Sequence, residues 1–459
     1  MNNKTAEKTV KAECPHYLAI DLGATSGRHI LGWLENGELK TREIYRFKNG
    51  PVKNKDGRDI WDIKALFENV LEGMRRCPVT PKSVAIDSWG VDYALLDKDG
   101  NLIGDVYCYR DPRGEYAMRS VHEIIPPKLL YSITGIAPQP YNTIYQLFDD
   151  CLTGKLDSAH SFLMIPAYLN FLLTGVSVNE YTLATTTGLI NAKTRTWDNS
   201  IISSLDIPLS IFTSSKCAQA GTFAGTLTQS IQKAVGYNTR VILPACHDTA
   251  SAVASIQPLK NSLYISCGTW SIIGTTLKRP LISQAGFDLG YSNEGGAGGV
   301  IRFNKNIMGM WVLGRVRDGL LQKYSHQEVE ELARNSPHGS TFNINDKRFF
   351  NPESMVAEIK NCLKQTGQAV PEQDGELFYC IYKSLAKAYA EAVEEIEKLT
   401  GKKYDTIIML GGGARDKLLQ QLTAELTKKT VVAGPAEATT EGNLKVQAGA
   451  EKLQNKRDA

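Results

Sequence analysis

Asp21-Leu22-Gly23-Ala24-Thr25-Ser26-Gly27-Arg28 gathers a carboxylate, two hydroxyls, two glycines and a guanidinium just after the apolar run Tyr17-Leu18-Ala19-Ile20. A strand that opens into such a turn leaves backbone N–H groups and hydroxyls unshielded, which suits a chain of phosphates. Asp21 either shapes the turn or holds magnesium, an ion that keeps several waters and needs few protein ligands. Thr25, Ser26 and Arg28 favour the second role, because hydroxyls and a guanidinium match phosphate oxygens. Leu263-Tyr264-Ile265 runs in the same way into Ser266-Cys267-Gly268-Thr269-Trp270-Ser271, and Ile407-Ile408-Met409-Leu410 into Gly411-Gly412-Gly413. Two echoing phosphate turns and a later triple glycine imply two similar half-molecules closing on one nucleotide. Neither GxxxxGK[ST] nor GxGxxG occurs, so the cradle is neither a P-loop nor a dinucleotide fold.

Cys246-His247-Asp248-Thr249 follows the apolar run Val241–Ala245 and precedes a small-residue helix. Asp248 is read as a helix N-cap, a place Asp fills well. A carboxylate held there also can accept the proton of an attacking hydroxyl, since phosphoryl transfer asks mostly for positioning. His247 either donates to substrate or packs. Asp87-Ser88-Trp89-Gly90-Val91-Asp92 places two carboxylates at another strand end. Paired carboxylates are the tools of glycoside hydrolysis, but Asp92 equally fits a buried structural acid. Gly90 permits close approach of a ligand, and Trp89 offers a flat apolar wall for a sugar ring.

These residues need a scaffold, and alternating strand and helix patterns give an α/β class. Strands are expected at Tyr17–Ile20, Ser83–Ile86 and Val241–Leu243. Ala250–Ser255 reads as a short helix, and the cleanest helix is Leu377–Leu399, with Gly401 as its stop. At 459 residues the chain exceeds one ordinary core. The expected division is a disordered tail at 1–14, an N-terminal domain at 15–256 that binds sugar and phosphate, and a C-terminal domain at 257–459 for adenosine and phosphate.

A net charge of +3, with no basic stripe between aromatics, excludes nucleic acid as a main partner. No apolar run is long enough to span a bilayer and no signal peptide is evident, so no membrane partner and a cytoplasmic location are expected. Nine cysteines lack CxxC spacing, which excludes a zinc site. Cys362 and Cys380 flank an expected loop, where free thiols are favoured in a reducing compartment.

Taken in order, the Asp21–Arg28, Cys246–Thr249, Ser266–Ser271 and Gly411–Gly413 stretches resemble the motifs of the FGGY carbohydrate kinases. The resemblance covers nearly the whole chain after the first dozen residues. It implies two actin/hexokinase-like (ribonuclease H-like) domains with a nucleotide cleft between them, ATP and Mg2+ as cofactors, and a small-molecule ketose as substrate. Within the family, Asp87–Asp92, Tyr109–Asp111, Tyr141–Leu147, Asn293–Gly296, Lys305–Trp311 and Pro435–Thr439 are similar to members that phosphorylate L-rhamnulose at its 1-hydroxyl. Fuculose or xylulose kinases are the near alternatives, and an actin-like ATPase switch the distant one.

Carried over, the resemblance implies that Ala24, Thr25, Ser26, Gly27, Arg28, Thr269 and Gly412 bind ATP and Asp21 the metal. It further implies that Gly90, His247, Asp248, Thr249 and Asn306 bind the ketose, with Asp248 as base. Those relatives commonly carry glutamine a few residues after Trp311. Here Gly314 stands there, without a side chain to reach ATP.

Overall fold

The computed structural model describes residues 14–455 apart from residue 322. The tail expected at 1–14 lies outside the described residues save for Cys14. Two six-stranded sheets organise the rest. The first comprises β1 (His16–Leu22), β2 (Ser26–Glu35), β3 (Glu38–Lys48), β4 (Ser83–Ser88), β5 (Phe223–Thr226) and β6 (Arg240–Ile242), in the order β5-β6-β4-β1-β2-β3. The second comprises β7 (Ser262–Cys267), β8 (Trp270–Leu277), β9 (Ser292–Gly295), β10 (Ile301–Met308), β11 (Thr406–Leu410) and β12 (Thr430–Ala433), in the order β9-β10-β8-β7-β11-β12.

Five strands of each sheet repeat one plan. β1, β2 and β3 form an antiparallel meander, as do β7, β8 and β10, and β1 and β7 each pair in parallel with a later strand on the other side. The halves that the two phosphate turns suggested are therefore real at the level of strand order. The turns open from β1 and β7, the equivalent strands.

Each of these two strands is covered on both faces, so neither shows polar alternation. In β1, Leu18, Ile20 and Leu22 enter the large core of the first domain, while Tyr17 and Ala19 face the opposite way, against Leu444. In β7, Leu263, Ile265 and Cys267 enter the second core, and Tyr264 faces Val253 and Leu259. Helix α1 (Asp248–Ala254) thus lies between the sheets. Its Ala252 packs with Leu410 and Ala438 of the second half of the chain.

The long helix falls where its periodicity placed it. It is α2, Asp374–Thr400, and it buries Phe378, Ile381, Leu385, Tyr389, Ala392 and Ile396. It starts earlier than Leu377 because Gln373 and Glu376 form a capping box, and it stops at left-handed Gly401 (φ 65°). Next come β11, the short 3-10 turn Gly412–Arg415, α3 (Lys417–Thr427), β12 and α4 (Ala438–Asn455). The last helix returns to the first sheet, where Gln447 accepts from Ser83 Oγ at 2.6 Å and donates to the Leu18 carbonyl at 3.2 Å.

Candidate active site

A cleft of about 680 Å³ runs between the two halves. From the first half it takes Ala24, Thr25, Trp89, Gly90, Tyr141, His247, Asp248 and Thr249. From the second come Ser266, Gly268, Thr269, Glu294, Asn306 and Trp311. Asn306 Nδ2 donates to Tyr141 Oη at 3.0 Å, a contact that crosses the cleft.

The first phosphate turn is shorter than its sequence suggested. Ser26, Gly27 and Arg28 already belong to β2, with Arg28 opposite Asp21 in the ladder. Asp21, Ser26, Gly27 and Arg28 are not among the cleft-lining residues. A Cβ on Gly27 would fall 2.2 Å from the Phe47 ring, so this glycine serves packing. The Arg28 guanidinium is held by Asp21 Oδ2, from Nε at 2.8 Å, and by Glu437. Gly23 donates its N–H to the Ser26 carbonyl, which leaves Ala24 and Thr25 as the exposed corner.

The glycines of the third turn divide their work. Gly411 has φ 80° and Gly413 would place a Cβ 2.8 Å from Cys267, so both fit the turn against the end of β7. Gly412 has nothing within 4 Å of a Cβ. It opens the 3-10 turn whose Ala414 and Arg415 line a second cavity of about 660 Å³ with Lys417, Gln420, Ala433 and Gly434, but it is not itself among the residues lining either cavity.

Asp248 is not the N-cap. His247 takes that place with extended backbone, and Asp248 is the first helical residue. Its carboxylate accepts from the Thr249 N–H, at 2.5 Å, and lies 3.4 Å from His247 Nε2. Burial raises its pKa, opposed by His247 and helped by the charge of Asp21. The shift makes Asp248 a better proton acceptor than a solvated Asp.

Asp92 is structural, which removes the paired-carboxylate reading. Its Oδ2 accepts from Trp61 Nε1 at 2.6 Å, from Trp89 Nε1 at 2.9 Å and from the Tyr109 N–H at 3.2 Å. Burial pushes its pKa up to about 6 against those donors. Asp92 thereby fixes the indole that walls the cleft.

Three more groups complete the site: Asp87, which the sequence offered only as one of two paired carboxylates, and Glu294 and Arg302, which it gave no role. Asp87 lies beside Asp21 in the parallel β1–β4 register. Burial, with Asp21 and Asp248 nearby, raises its pKa, while Asn443 Nδ2 holds its Oδ2 at 2.6 Å. Glu294 and Arg302 sit on β9 and β10 and reach His247. A strand charge flanked by apolar residues, as Arg302 is by Ile301 and Phe303, was the available signal.

Residues 16–255 match the N-terminal domain of the FGGY family of carbohydrate kinases, and residues 263–451 match its C-terminal domain. The chain belongs to the FGGY family of carbohydrate kinases. A rhamnulokinase of Halalkalibacterium halodurans is 42% identical over 94% of this chain and 92% of its own. A rhamnulokinase of Bacillus subtilis is 40% identical over 94% of this chain and 89% of its own. Among solved structures, a gluconate kinase from Lactobacillus acidophilus superposes with a TM-score of 0.80 at 19% identity, over 96% of this chain and 90% of that one. It shares the fold.

As an FGGY kinase the protein is an ATP-dependent sugar kinase with Mg2+ as the usual cofactor of its class. Among the described residues no group of three or more His, Cys, Asp or Glu side chains is arranged to enclose a metal. The acids present fit magnesium even so, since that ion takes one or two carboxylates and leaves its other positions to water and phosphates. Asp21 and Asp87 stand side by side, and the buried Asp87 Oδ1 lacks a hydrogen-bond partner.

Cys362 and Cys380, both buried, are free thiols. Among the described residues no helix is long and apolar enough to cross a membrane.

Proposed function

We propose that this chain transfers the γ-phosphoryl group of ATP to the 1-hydroxyl of L-rhamnulose, giving L-rhamnulose 1-phosphate and ADP, in the cytoplasm. The observation that carries the reading is the cleft itself. It combines a half-buried carboxylate with raised pKa, the exposed turn corners of both halves and an indole wall, in a chain 42% identical to a rhamnulokinase.

In this reading the ketose lies against Trp89 and Gly90, held by His247, Thr249 and Asn306. Asp248 takes the proton of the 1-hydroxyl as that oxygen bonds to the γ-phosphorus and the bond to ADP breaks. Proton removal comes late in such a loose transition state, so position matters more than basicity. Ala24 and Thr25 lie against the phosphates from one side and Thr269 from the other, with adenosine along Gly412. Ser26, Gly27 and Arg28 support that turn from β2. Asp21, next to Asp87, would hold Mg2+ through water; the ion would neutralise charge on the phosphates. The methyl end of L-rhamnulose meets an apolar part of the cleft that includes Trp89, Ile136 and Pro140.

The test is a coupled ADP assay over L-rhamnulose, L-fuculose, xylulose and no sugar. Turnover that needs L-rhamnulose and exceeds the other ketoses supports the reading. Preference for another ketose shifts the assignment within the family, and sugar-independent ADP release overturns it.

A further inference from the structure

His247 is gripped at two points by different domains. Its backbone N–H donates to Thr182 Oγ1 at 3.3 Å, within the first domain. Its ring is met from the second domain, where Arg302 Nη2 lies 2.8 Å from Nδ1. The Arg302 side chain is fully buried. The same Nη2 donates to Glu294 Oε2 at 2.6 Å, and Nε donates to the Gly295 carbonyl at 2.9 Å. Burial alone would raise the Glu294 carboxyl, but the Arg302 charge leads the groups that pull it down to about 2, so the clamp is charged.

An arginine nitrogen always carries its protons and cannot accept. Nη2 has two hydrogens, and the two acceptors beside it are Glu294 and His247. His247 Nδ1 therefore offers a lone pair, and the neutral ring carries its hydrogen on Nε2. That nitrogen is 3.4 Å from Asp248 Oδ1. We propose that Arg302 is a positioning residue that reaches across from the second domain, fixes His247 as its Nε2–H tautomer and aims that donor at Asp248 and the hydroxyl beside it. The consequence is specific to a two-domain kinase: the His–Asp pair is fully ordered only while the domains are apposed.

The proposal rests on the sugar-kinase reading of the cleft, and the experiment separates the two. In the intact protein labelled with 15N-histidine, two-bond 1H–15N correlation at pH 8 reports each tautomer, and His247→Asn identifies its signal. An Nε2–H ring is expected; a hydrogen on Nδ1 overturns the proposal whether or not any ketose is turned over. Kinetically, Arg302→Lys lowers kcat about ten- to a hundredfold, the scale for misplacing a group near the reacting atoms, with KM for ATP little changed. In the His247→Asn background the same substitution costs less than about threefold, because its effect passes through the ring. A full additional loss in that background, as a merely structural role gives, would overturn the proposal.

Discussion

Asp92 illustrates how a carboxylate can matter to a sugar site without touching sugar. Its pKa of about 6 against an ordinary 3.8 means that the folded state binds a proton more tightly than the unfolded chain. The penalty is therefore full above pH 6 and is relieved as pH falls towards 4. Asp92→Asn keeps an acceptor for the two indoles but cannot titrate. The variant is expected to gain on the native protein by about 2 kcal/mol between pH 4.5 and pH 7. Urea denaturation across that range checks it, and a constant difference would refute it. Asp248→Asn acts on chemistry instead, and kcat should fall roughly 10²- to 10⁴-fold, the scale of general-base loss. Binding of a non-hydrolysable ATP analogue, followed by calorimetry, should hardly change. The sequence made Asp248, His247, Thr249 and Gly90 legible because each sits in a short contiguous motif. Glu294 and Arg302 were not legible, since they meet His247 only through folding, 47 and 55 residues away in sequence.

At the scale of the element, two helical glycines take the same substitution with opposite signs. Gly442 on α4 would place a Cβ 1.7 Å from the Ser251 carbonyl of α1, a contact between two backbones that no rotamer relieves. Gly442→Ala should therefore push α4 from α1, at a cost of at least about 1–3 kcal/mol as overpacking does. Because α1 begins with Asp248, kcat should fall with Tm. Gly314 lies within the helix Trp311–Gly319, and a Cβ there meets nothing within 4 Å. Gly314→Ala should gain about 0.5–1 kcal/mol from helix propensity alone. Differential scanning fluorimetry of the two variants decides both, and a Gly442→Ala protein as stable as the native one would contradict the packing. From sequence, α2 and the strands before each turn were visible through their periodicity. The extent of the first turn was not, because Ser26-Gly27-Arg28 reads as polar loop and becomes strand only through pairing with β1.

For the whole molecule, the order of the chain and the order of packing differ. The division at 256 falls in the connection between α1 and β7, yet α4, at the far end of the chain, covers the first sheet. Leu444 packs with Tyr17, Ala19 and Ile30, and Asn443 and Gln447 hydrogen-bond with Asp87 Oδ2, Ser83 Oγ and the Leu18 carbonyl. No pattern in α4 announces this allegiance, since an apolar helix face does not name the sheet it will cover. Both connections between the halves also run close together, as Ser251 Oγ of α1 donates to the Thr439 carbonyl of α4 at 3.0 Å. Neither domain is then complete alone: the first lacks a cover for Tyr17 and Ala19 without α4, and Tyr264 of the second packs on Val253 of α1. Calorimetric unfolding of the full chain should give one transition, with a van't Hoff enthalpy close to the calorimetric one. Residues 1–256 expressed alone should lack a cooperative transition and bind hydrophobic dye, because the Tyr17–Ala19–Ile30 face is open and Asp87 has lost Asn443. Supplying residues 435–459 as a peptide should restore part of that transition. Two well-separated transitions in the full chain, or cooperative unfolding of the isolated fragment, would mean that α4 decorates the first domain without holding it together.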